Sequence, residues 1–256
     1  MEIAHTPASH RRRPSPYGGN SASNSILAGL LATEYKRLLP KLEYVLLKRG
    51  EIVYRADQRI EAVYFPEDAV IAMIDSMDDG RTVEVGIIGR EGIVGINIFL
   101  GGVVTPDKAI VLHTGGAMRM KAKELCKEPR FGSALQRALL AYARTFLVVI
   151  SQSVACSQHH SIEQRLPRLL LTMRDYAGSR ELQMAQQSTA TLLGVRRAGV
   201  TESAQKLQAA HLISYHRGRI RVLDRAGLAK RSCECYRFIR WQYKSLHDEL
   251  RQLLSR

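Results

Sequence analysis

The amino-acid sequence predicts an α+β protein: an N-terminal antiparallel β-roll or jelly-roll domain, a long dimerisation helix and a C-terminal winged helix-turn-helix domain. Three observations predict it. Short runs rich in Val, Ile and Tyr fill the first half, an apolar stripe at helical spacing follows, and a helix-turn-helix pattern lies near the end. We place the boundaries at 1–25 for a disordered tail, 26–128 for the β-roll, 129–160 for the long helix, 161–240 for the winged helix-turn-helix and 241–256 for a helical extension.

The N-terminal tail is rich in Pro, Ser, Gly, Asn and Arg, a composition that cannot bury a core. Its Arg11–Arg13 run fits either an idle solvated tail or a contact with DNA. The tail lacks the apolar core of a secretory signal, and we find no apolar run long enough to span a bilayer. We therefore expect a cytoplasmic protein with no membrane partner.

The β-roll is predicted from short strand-like runs separated by turn signals. A short helix, Ser25–Leu39, is expected before them and ends at Pro40. Asp79-Gly80 predicts a hairpin turn. The predicted strands are Leu46–Tyr54, Ala62–Phe65, Val70–Ser76, Thr82–Ile88 and Ile110–Met120.

The long helix is predicted from about Arg130 to His160, a stretch without proline. Its apolar residues alternate at steps of four and three, which is the seam of a coiled coil. We expect this seam to pair with a second copy of the chain, although a single domain burying the stripe in its own core would give the same pattern. The seam residues are Leu135, Leu139, Tyr142, Phe146, Val149, Ser153 and Cys156.

The helix-turn-helix pattern covers Gln186–Gln205. Ala190 falls where two helices cross closest, Gly194 at the turn where a left-handed backbone is needed, and Val200 where the second helix presses on the first. An ordinary helical hairpin fits the same spacing, so the surrounding sequence has to decide.

A wing is predicted directly after the second helix. Within Leu207–Asp224, two alternating runs flank Arg217-Gly218, a hairpin turn signal. The side chains of Arg217, Arg219 and Arg221 have the length to reach a DNA backbone.

The charge distribution supports a polyanion partner for the last third of the chain. Residues 26–130 carry 15 Lys and Arg against 15 Asp and Glu, whereas residues 161–256 carry 18 against 8. A solvated basic surface, or one that touches anionic lipid, would show the same excess. We favour double-stranded DNA because the excess coincides with the helix-turn-helix.

The candidate DNA contacts lie on both helices and on the wing. Arg197 opens the second helix and is expected to grip guanine O6 and N7. Glu202 is expected either to read cytosine or to face away from the DNA. The full candidate set is Gln187, Ser188, Arg196, Arg197, Thr201, Glu202, Gln205, Arg217 and Arg219.

The cysteines indicate a reducing compartment rather than a disulfide scaffold. Cys233-Glu-Cys235 is open to interpretation as a metal or redox pair, but we expect no metal because its spacing is not that of a zinc knuckle and no second pair answers it. His159-His160 is expected to be a surface pair. The sequence contains no Ser/His/Asp, Walker-type or zinc-protease motif, so we do not expect an enzyme.

The order of these parts over residues 26–240 resembles the Crp/Fnr family of bacterial transcription regulators. The specific pieces are ATLLGVRRAGVTESAQKLQAAHLISYHRGRIRVLD and GREGIVGINIFLGG. The resemblance implies a homodimer that binds palindromic promoter DNA and contacts RNA polymerase. A sensor or scaffold module that binds nucleic acid only non-specifically is the alternative.

The chain departs from the family where cyclic-nucleotide-binding members hold their ligand. Where they carry a Gly-Glu pair that binds the ribose, this chain has Gly95-Ile96. Where they carry an Arg and a hydroxyl residue that bind the phosphate, it has Pro106 and Asp107. Cyclic AMP is therefore not expected as a tight ligand. An iron–sulfur cluster of the family's N-terminal kind is not expected either, since no cysteine precedes Cys126. The effector stays unassigned.

Overall fold

The computed structural model describes residues 23–78, 80, 82–128 and 131–254. Most of the expected tail, with Arg11–Arg13, and Asp79 of the expected hairpin turn lie outside the described residues.

The described chain has a β-rich half followed by a helical half. The helices are α1 Ser25–Ala28, α2 Ala32–Leu38, α3 Ala122–Leu125, α4 Ala134–His159, α5 Ile162–Ala177, α6 Gln186–Leu193, α7 Arg197–Ala209, α8 Arg225–Arg231 and α9 Cys235–Leu254. The strands are β1 Glu43–Leu47, β2 Ile52–Tyr54, β3 Ala62–Pro66, β4 Val70–Ser76, β5 Thr82–Ile88, β6 Lys108–His113, β7 Gly115–Lys121, β8 Glu181–Gln183, β9 Ile213–His216 and β10 Arg219–Val222.

The N-terminal half forms two antiparallel sheets, in the orders β1-β7-β3 and β2-β6-β4-β5, which confirms the predicted β-roll. Two of the expected strands are each divided in the structure. The first breaks at Gly50, whose positive φ of 85° turns the chain between β1 and β2. The last breaks at Thr114, and its halves β6 and β7 join different sheets. Gly115, the first residue of β7, packs so closely on Ala69 that an added Cβ would collide with the Ala69 amide nitrogen.

Three further elements differ from the prediction. The expected helix Ser25–Leu39 is interrupted between α1 and α2. Strand β8 was not predicted, since a strand of three residues is too short to show alternation. The C-terminal helix begins at Cys235 rather than at the expected residue 241. It runs back along α4, where Arg144 pairs with Glu249 at 2.5 Å.

The inner face of α4 packs on its own β-roll. A Cβ added at Gly86 would lie 2.9 Å from the Phe146 ring, and one added at Gly92 would collide with the Tyr142 ring. The two aromatic rings stack, with centroids 5.5 Å apart. The bare glycine backbone of the β-roll therefore lets both rings approach until little space is left between helix and sheet.

This packing overturns the predicted dimer seam. The structure buries all of that stripe except Ser153, which is half-buried, inside the protomer. A side chain that fills the core of its own chain cannot also cover a second copy, so assigning this stripe to a dimer interface was wrong. The buried residues of the stripe are Leu135, Leu139, Tyr142, Phe146, Val149 and Cys156.

Within the part of the chain that the structure describes, α4 is also the one helix long and apolar enough to cross a membrane, by length and composition alone. This corrects the expectation that no run reaches that length.

Candidate nucleic-acid interface

Helices α6 and α7 form the expected helix-turn-helix. Ala190 and Val200 are 1% and 2% exposed at the helix crossing, and Gly194 ends α6 with a left-handed φ of 61°. Arg165 of α5 donates from Nη2 to the carbonyl of Leu193 at 2.6 Å, which satisfies one of the last carbonyls of α6. The small, left-handed and apolar positions of the pattern are thus each used as predicted.

The second helix, α7, buries one face and exposes the other. Val200, Ser203, Ala204 and Leu207 are the buried residues of α7. At about 100° per residue, the opposite face carries Ala198, Thr201, Glu202 and Gln205.

Arg197 stands at the N-terminal end of this helix with an exposed side chain. Its Nε donates to Gln186 Oε1 at 3.4 Å, which leans the guanidinium toward the start of α6. Arg196 is exposed at the N-cap position. Both cations therefore lie at the end of α7 that a recognition helix usually points at the bases.

Glu202 is held by ion pairs rather than left free. Lys206 Nζ lies 2.9 Å from Glu202 Oε1 and 2.5 Å from Glu163 Oε1 on α5. The hydrogen bond to Glu163, and then that to Glu202, raises the pKa of Lys206, and the bond with Lys206 lowers the pKa of Glu163. Of the two roles expected for Glu202, this geometry favours the one that faces away from DNA.

Thr201 and Gln205 complete the exposed face of α7. The Thr201 hydroxyl donates to the carbonyl of Arg197 at 3.1 Å, one turn back along the helix. The hydroxyl is therefore occupied, and the methyl group of this half-buried side chain is the part left for apolar contact with a thymine methyl. Gln205 is exposed.

The wing has the geometry that its turn signal predicts. Arg217 and Gly218 both have positive φ, 46° and 77°, which is the requirement of a two-residue type I′ hairpin. Arg217 is exposed at the tip between β9 and β10. Arg219 pairs with Glu181 of β8 at 3.3 Å, and Arg221 lies 4.0 Å from the same carboxylate. The unpredicted strand β8 thus supports the wing from behind.

Gln187 and Ser188 are exposed at the start of α6. They also line a cavity of about 770 Å³ between α6 and the β-roll, opposite Lys48, Arg49 and Lys108. Helix α6 packs on β5 and closes one side of this space. The sequence gives no sign of this contact, because the two surfaces are some hundred residues apart.

The segment expected to replace the nucleotide cassette is well defined. Gly95 has a φ of 88° and starts a 3₁₀ turn, Ile96–Ile98. Asp107 is 5% exposed and accepts hydrogen bonds from the hydroxyls of Tyr54, at 2.7 Å, and Thr105. Burial, and then the charge of Asp107, raises the pKa of Tyr54 far above its usual value. Asp107 is therefore a buried carboxylate that already has two hydroxyl donors.

A second constellation lies away from the α7 surface. Cys156, His160, Cys233 and Cys235 bring their ligand atoms within 4.8 Å of one another. The sequence analysis, which expected no metal at Cys233-Glu-Cys235, did not bring these residues together because Cys156 and Cys233 are 77 residues apart. The sequence pattern that could have indicated this cluster is a Cys and a His four residues apart, on one helix face, together with a Cys-x-Cys pair later in the chain.

Comparison with known proteins agrees with this geometry. Residues 164–231, which hold α6, α7 and the wing, match the family model of the Crp-like helix-turn-helix domain. This segment is a Crp-like helix-turn-helix domain. No curated protein matches the sequence.

Solved structures extend the likeness to the whole fold. FixK2 from Bradyrhizobium japonicum is 16% identical, with a TM-score of 0.64 over 75% of this chain and 98% of its own. TTHB099, a CRP-family transcriptional regulator from Thermus thermophilus, is 18% identical, with a TM-score of 0.62 over 75% and 99%. TTHA1359, a CRP/FNR-family regulator from the same organism, is 17% identical, with a TM-score of 0.56 over 73% and 97%. The resemblance to Crp/Fnr regulators is confirmed as a fold that includes the Crp-like domain.

Proposed function

We propose that the chain is a sequence-specific DNA-binding transcription regulator of the Crp/Fnr type, without enzymatic activity, that works in the cytoplasm. One observation carries the proposal: a Crp-like helix-turn-helix with a type I′ wing lies in the third of the chain whose net charge is +10, from 18 Lys and Arg against 8 Asp and Glu over residues 161–256. This is the electrostatic and geometric footprint of a module that reads the major groove.

The recognition surface is the exposed face of α7 with the tip of the wing. The Arg197 guanidinium fits the O6 and N7 acceptors of guanine. Thr201 and Gln205 offer a methyl group and an amide to the base edges, and Arg217 reaches the DNA phosphate backbone. Glu202 serves mainly to hold Lys206. Gln187 and Ser188 are exposed at the start of α6 and also line the cavity beside the β-roll, which makes that cavity a place where DNA binding and the β-roll influence each other.

We propose a homodimer through the outer face of α4. Leu140, Leu147 and Val154 are 51%, 65% and 58% exposed and follow one another at intervals of seven. Arg144 and Ser151 lie between them, so the outer face has the spacing of a coiled-coil seam. A second copy of the same helix suits this stripe because a paired helix-turn-helix reads two half-sites of a palindrome about one DNA turn apart.

Cyclic AMP is not proposed as the effector. Asp107 is buried among hydroxyl donors and would repel a phosphate, and Ile96 offers the ribose no hydrogen bond. An iron–sulfur cluster near the N-terminus is not proposed either, because the chain has no cysteine before Cys126 to bind one. RNA polymerase is proposed as the protein partner on promoter DNA, by analogy with the fold family.

The test is selection of bound duplexes from a random DNA pool by the purified full chain at near-physiological salt. The proposal expects enrichment of a palindrome with two half-sites about one turn apart. Tight binding at low salt without any enriched sequence would overturn it in favour of a module that binds nucleic acid non-specifically.

A further inference from the structure

A compact set of metal-binding side chains sits at the C-terminal end of α4. Cys156 and His160 lie one helical turn apart there, and Cys233 and Cys235 come from the junction of α8 and α9. The three cysteines are 0–2% exposed and the His160 side chain 15%. We propose that these four residues bind one zinc-class divalent cation in a closed Cys₃His site.

The distances fit a tetrahedral site. Cys156 Sγ and Cys233 Sγ are 3.6 Å apart, and Cys235 Sγ is 3.5 Å from His160 Nδ1. With zinc–sulfur bonds of about 2.3 Å and zinc–nitrogen bonds of about 2.0 Å, the edges of a tetrahedron are roughly 3.8 and 3.5 Å. These two separations are already close to the edges that an ion would impose, and all four ligand atoms lie within 4.8 Å of one another, so a shift of about 1 Å at most closes the site. Four protein ligands leave no open position, which is typical of a structural site.

The outer contacts orient the ligands in the way that zinc sites require. Glu234 Oε1 lies 3.2 Å from His160 Nε2, where a carboxylate accepts a hydrogen bond from the Nε2–H tautomer of a neutral imidazole. In that tautomer the Nδ1 lone pair, 3.5 Å from Cys235 Sγ, is the one available to an ion. Gln152 donates from its amide to Cys235 Sγ at 3.0 Å, a bond that favours a thiolate.

Arg168 is a buried cation next to the cluster, and its positive charge would offset the negative charge of the metal-bound site. Arg168 is 6% exposed, and its Nε is without a hydrogen-bond partner among the described residues. The guanidinium lies close enough to Cys156 and Cys233 to act on their charge, and Glu84 on β5 is an acidic group that faces it. Three thiolates, one neutral imidazole and one divalent ion carry a net charge of −1, which would compensate a buried guanidinium.

The site lies where two distant parts of the chain meet, so a bound ion would join them. The chain leaves α4 at His160 and enters α5 at Ile162, so the ion would tie the end of the long helix to the α8–α9 junction behind the helix-turn-helix. Any effect of the ion on DNA binding rests on the proposed function, whereas metal binding itself does not.

The experiment titrates Co²⁺ into the reduced, chelator-treated full chain and follows its absorption. We expect sulfur-to-cobalt charge-transfer bands and the visible bands of tetrahedral cobalt, saturating at one ion per chain and lost on addition of Zn²⁺. Cys126→Ser, which removes the exposed cysteine outside the cluster, should titrate like the wild type, and Cys233→Ser should lose the bands. His159→Ala should bind cobalt and His160→Ala should bind it more weakly.

A milder variant guards against loss of the fold. Glu234→Gln leaves every ligand in place and should weaken cobalt affinity by about 10–100-fold. A folded wild-type protein without tetrahedral cobalt bands would overturn the proposal, as would Cys233→Ser binding like the wild type. A Cys156–Cys233 disulfide in the isolated protein that yields no cobalt site after reduction would overturn it too and indicate a redox pair. Failure of DNA selection with one bound ion would reject the proposed function alone.

Discussion

The two ends of α4 make different kinds of contact with the rest of the protein: apolar packing at one end and a cluster of metal-ligand side chains at the other. Toward its N-terminal half, Tyr142 and Phe146 press on the glycine backbone at Gly92 and Gly86, a contact made by shape and apolar burial. At its C-terminal end, Cys156 and His160 meet Cys233 and Cys235 through soft and titratable ligand atoms. The first contact forms when the chain folds, whereas the second would be completed only when an ion binds. We therefore expect the C-terminal end of α4 to be held to the α8–α9 junction more firmly with the ion bound than without it.

The largest expected effect is the loss of stability when the apolar packing between α4 and the β-roll is disrupted. Phe146 is 4% exposed, and Phe146→Ala should lower the free energy of unfolding by about 3–5 kcal/mol because it leaves a cavity against β5. Urea denaturation measures it. Phe131→Ala makes the same chemical change at a fully exposed residue and should stay within about 0.5 kcal/mol of the wild type. Equal losses in both variants would contradict the packing described for α4.

The second-largest expected effect is stabilisation by zinc bound at the C-terminal end of α4. Zinc at about 100 times its dissociation constant should stabilise the folded chain by about 2.7 kcal/mol, since the ion binds the folded site. Thermal unfolding with and without zinc checks this, with Cys233→Ser as the variant that should not respond. A zinc response that survives Cys233→Ser would place the ion elsewhere.

A third effect concerns the DNA surface. Arg197→Ala should cost about 1–3 kcal/mol of binding to a selected operator and relax the preference at one base pair of each half-site. Fluorescence anisotropy on matched and mismatched duplexes measures it, with Arg55→Ala, an exposed arginine of the β-roll, as control. Loss of the same size on operator and random DNA would show that Arg197 only touches phosphate.

The smallest effect separates the wing from the recognition helix. Arg217→Ala should weaken binding about equally on every sequence and reduce the slope of log affinity against log salt by about one, because a single phosphate contact is lost. Titrations at several salt concentrations test this. A change in the selected sequence would instead make Arg217 a base-reading residue.

Local requirements explain what could be predicted. Ala190, Gly194 and Val200 each meet a demand set by their immediate neighbours, so the pattern over Gln186–Gln205, together with the wing signal and the charge around it, predicted the helix-turn-helix. The Arg217-Gly218 turn is equally local.

Non-local facts explain what could not be predicted. The spacing of Tyr142 and Phe146 identifies an apolar face but not what covers it, and the glycines that receive them, Gly92 and Gly86, lie far back along the chain in the β-roll. The same limit hid the four-ligand cluster and the contact of Ser188 with the β-roll cavity.

The most direct test compares DNA selection by the wild type and by Leu147→Glu, which puts a charge in the middle of the exposed stripe of α4 without touching the core. Pairing through this face predicts a palindrome with half-sites about one turn apart for the wild type, and only isolated half-sites, weakly enriched, for the variant. Recovery of the same palindrome by Leu147→Glu would contradict pairing through this face. No enrichment by the wild type would contradict sequence-specific binding itself.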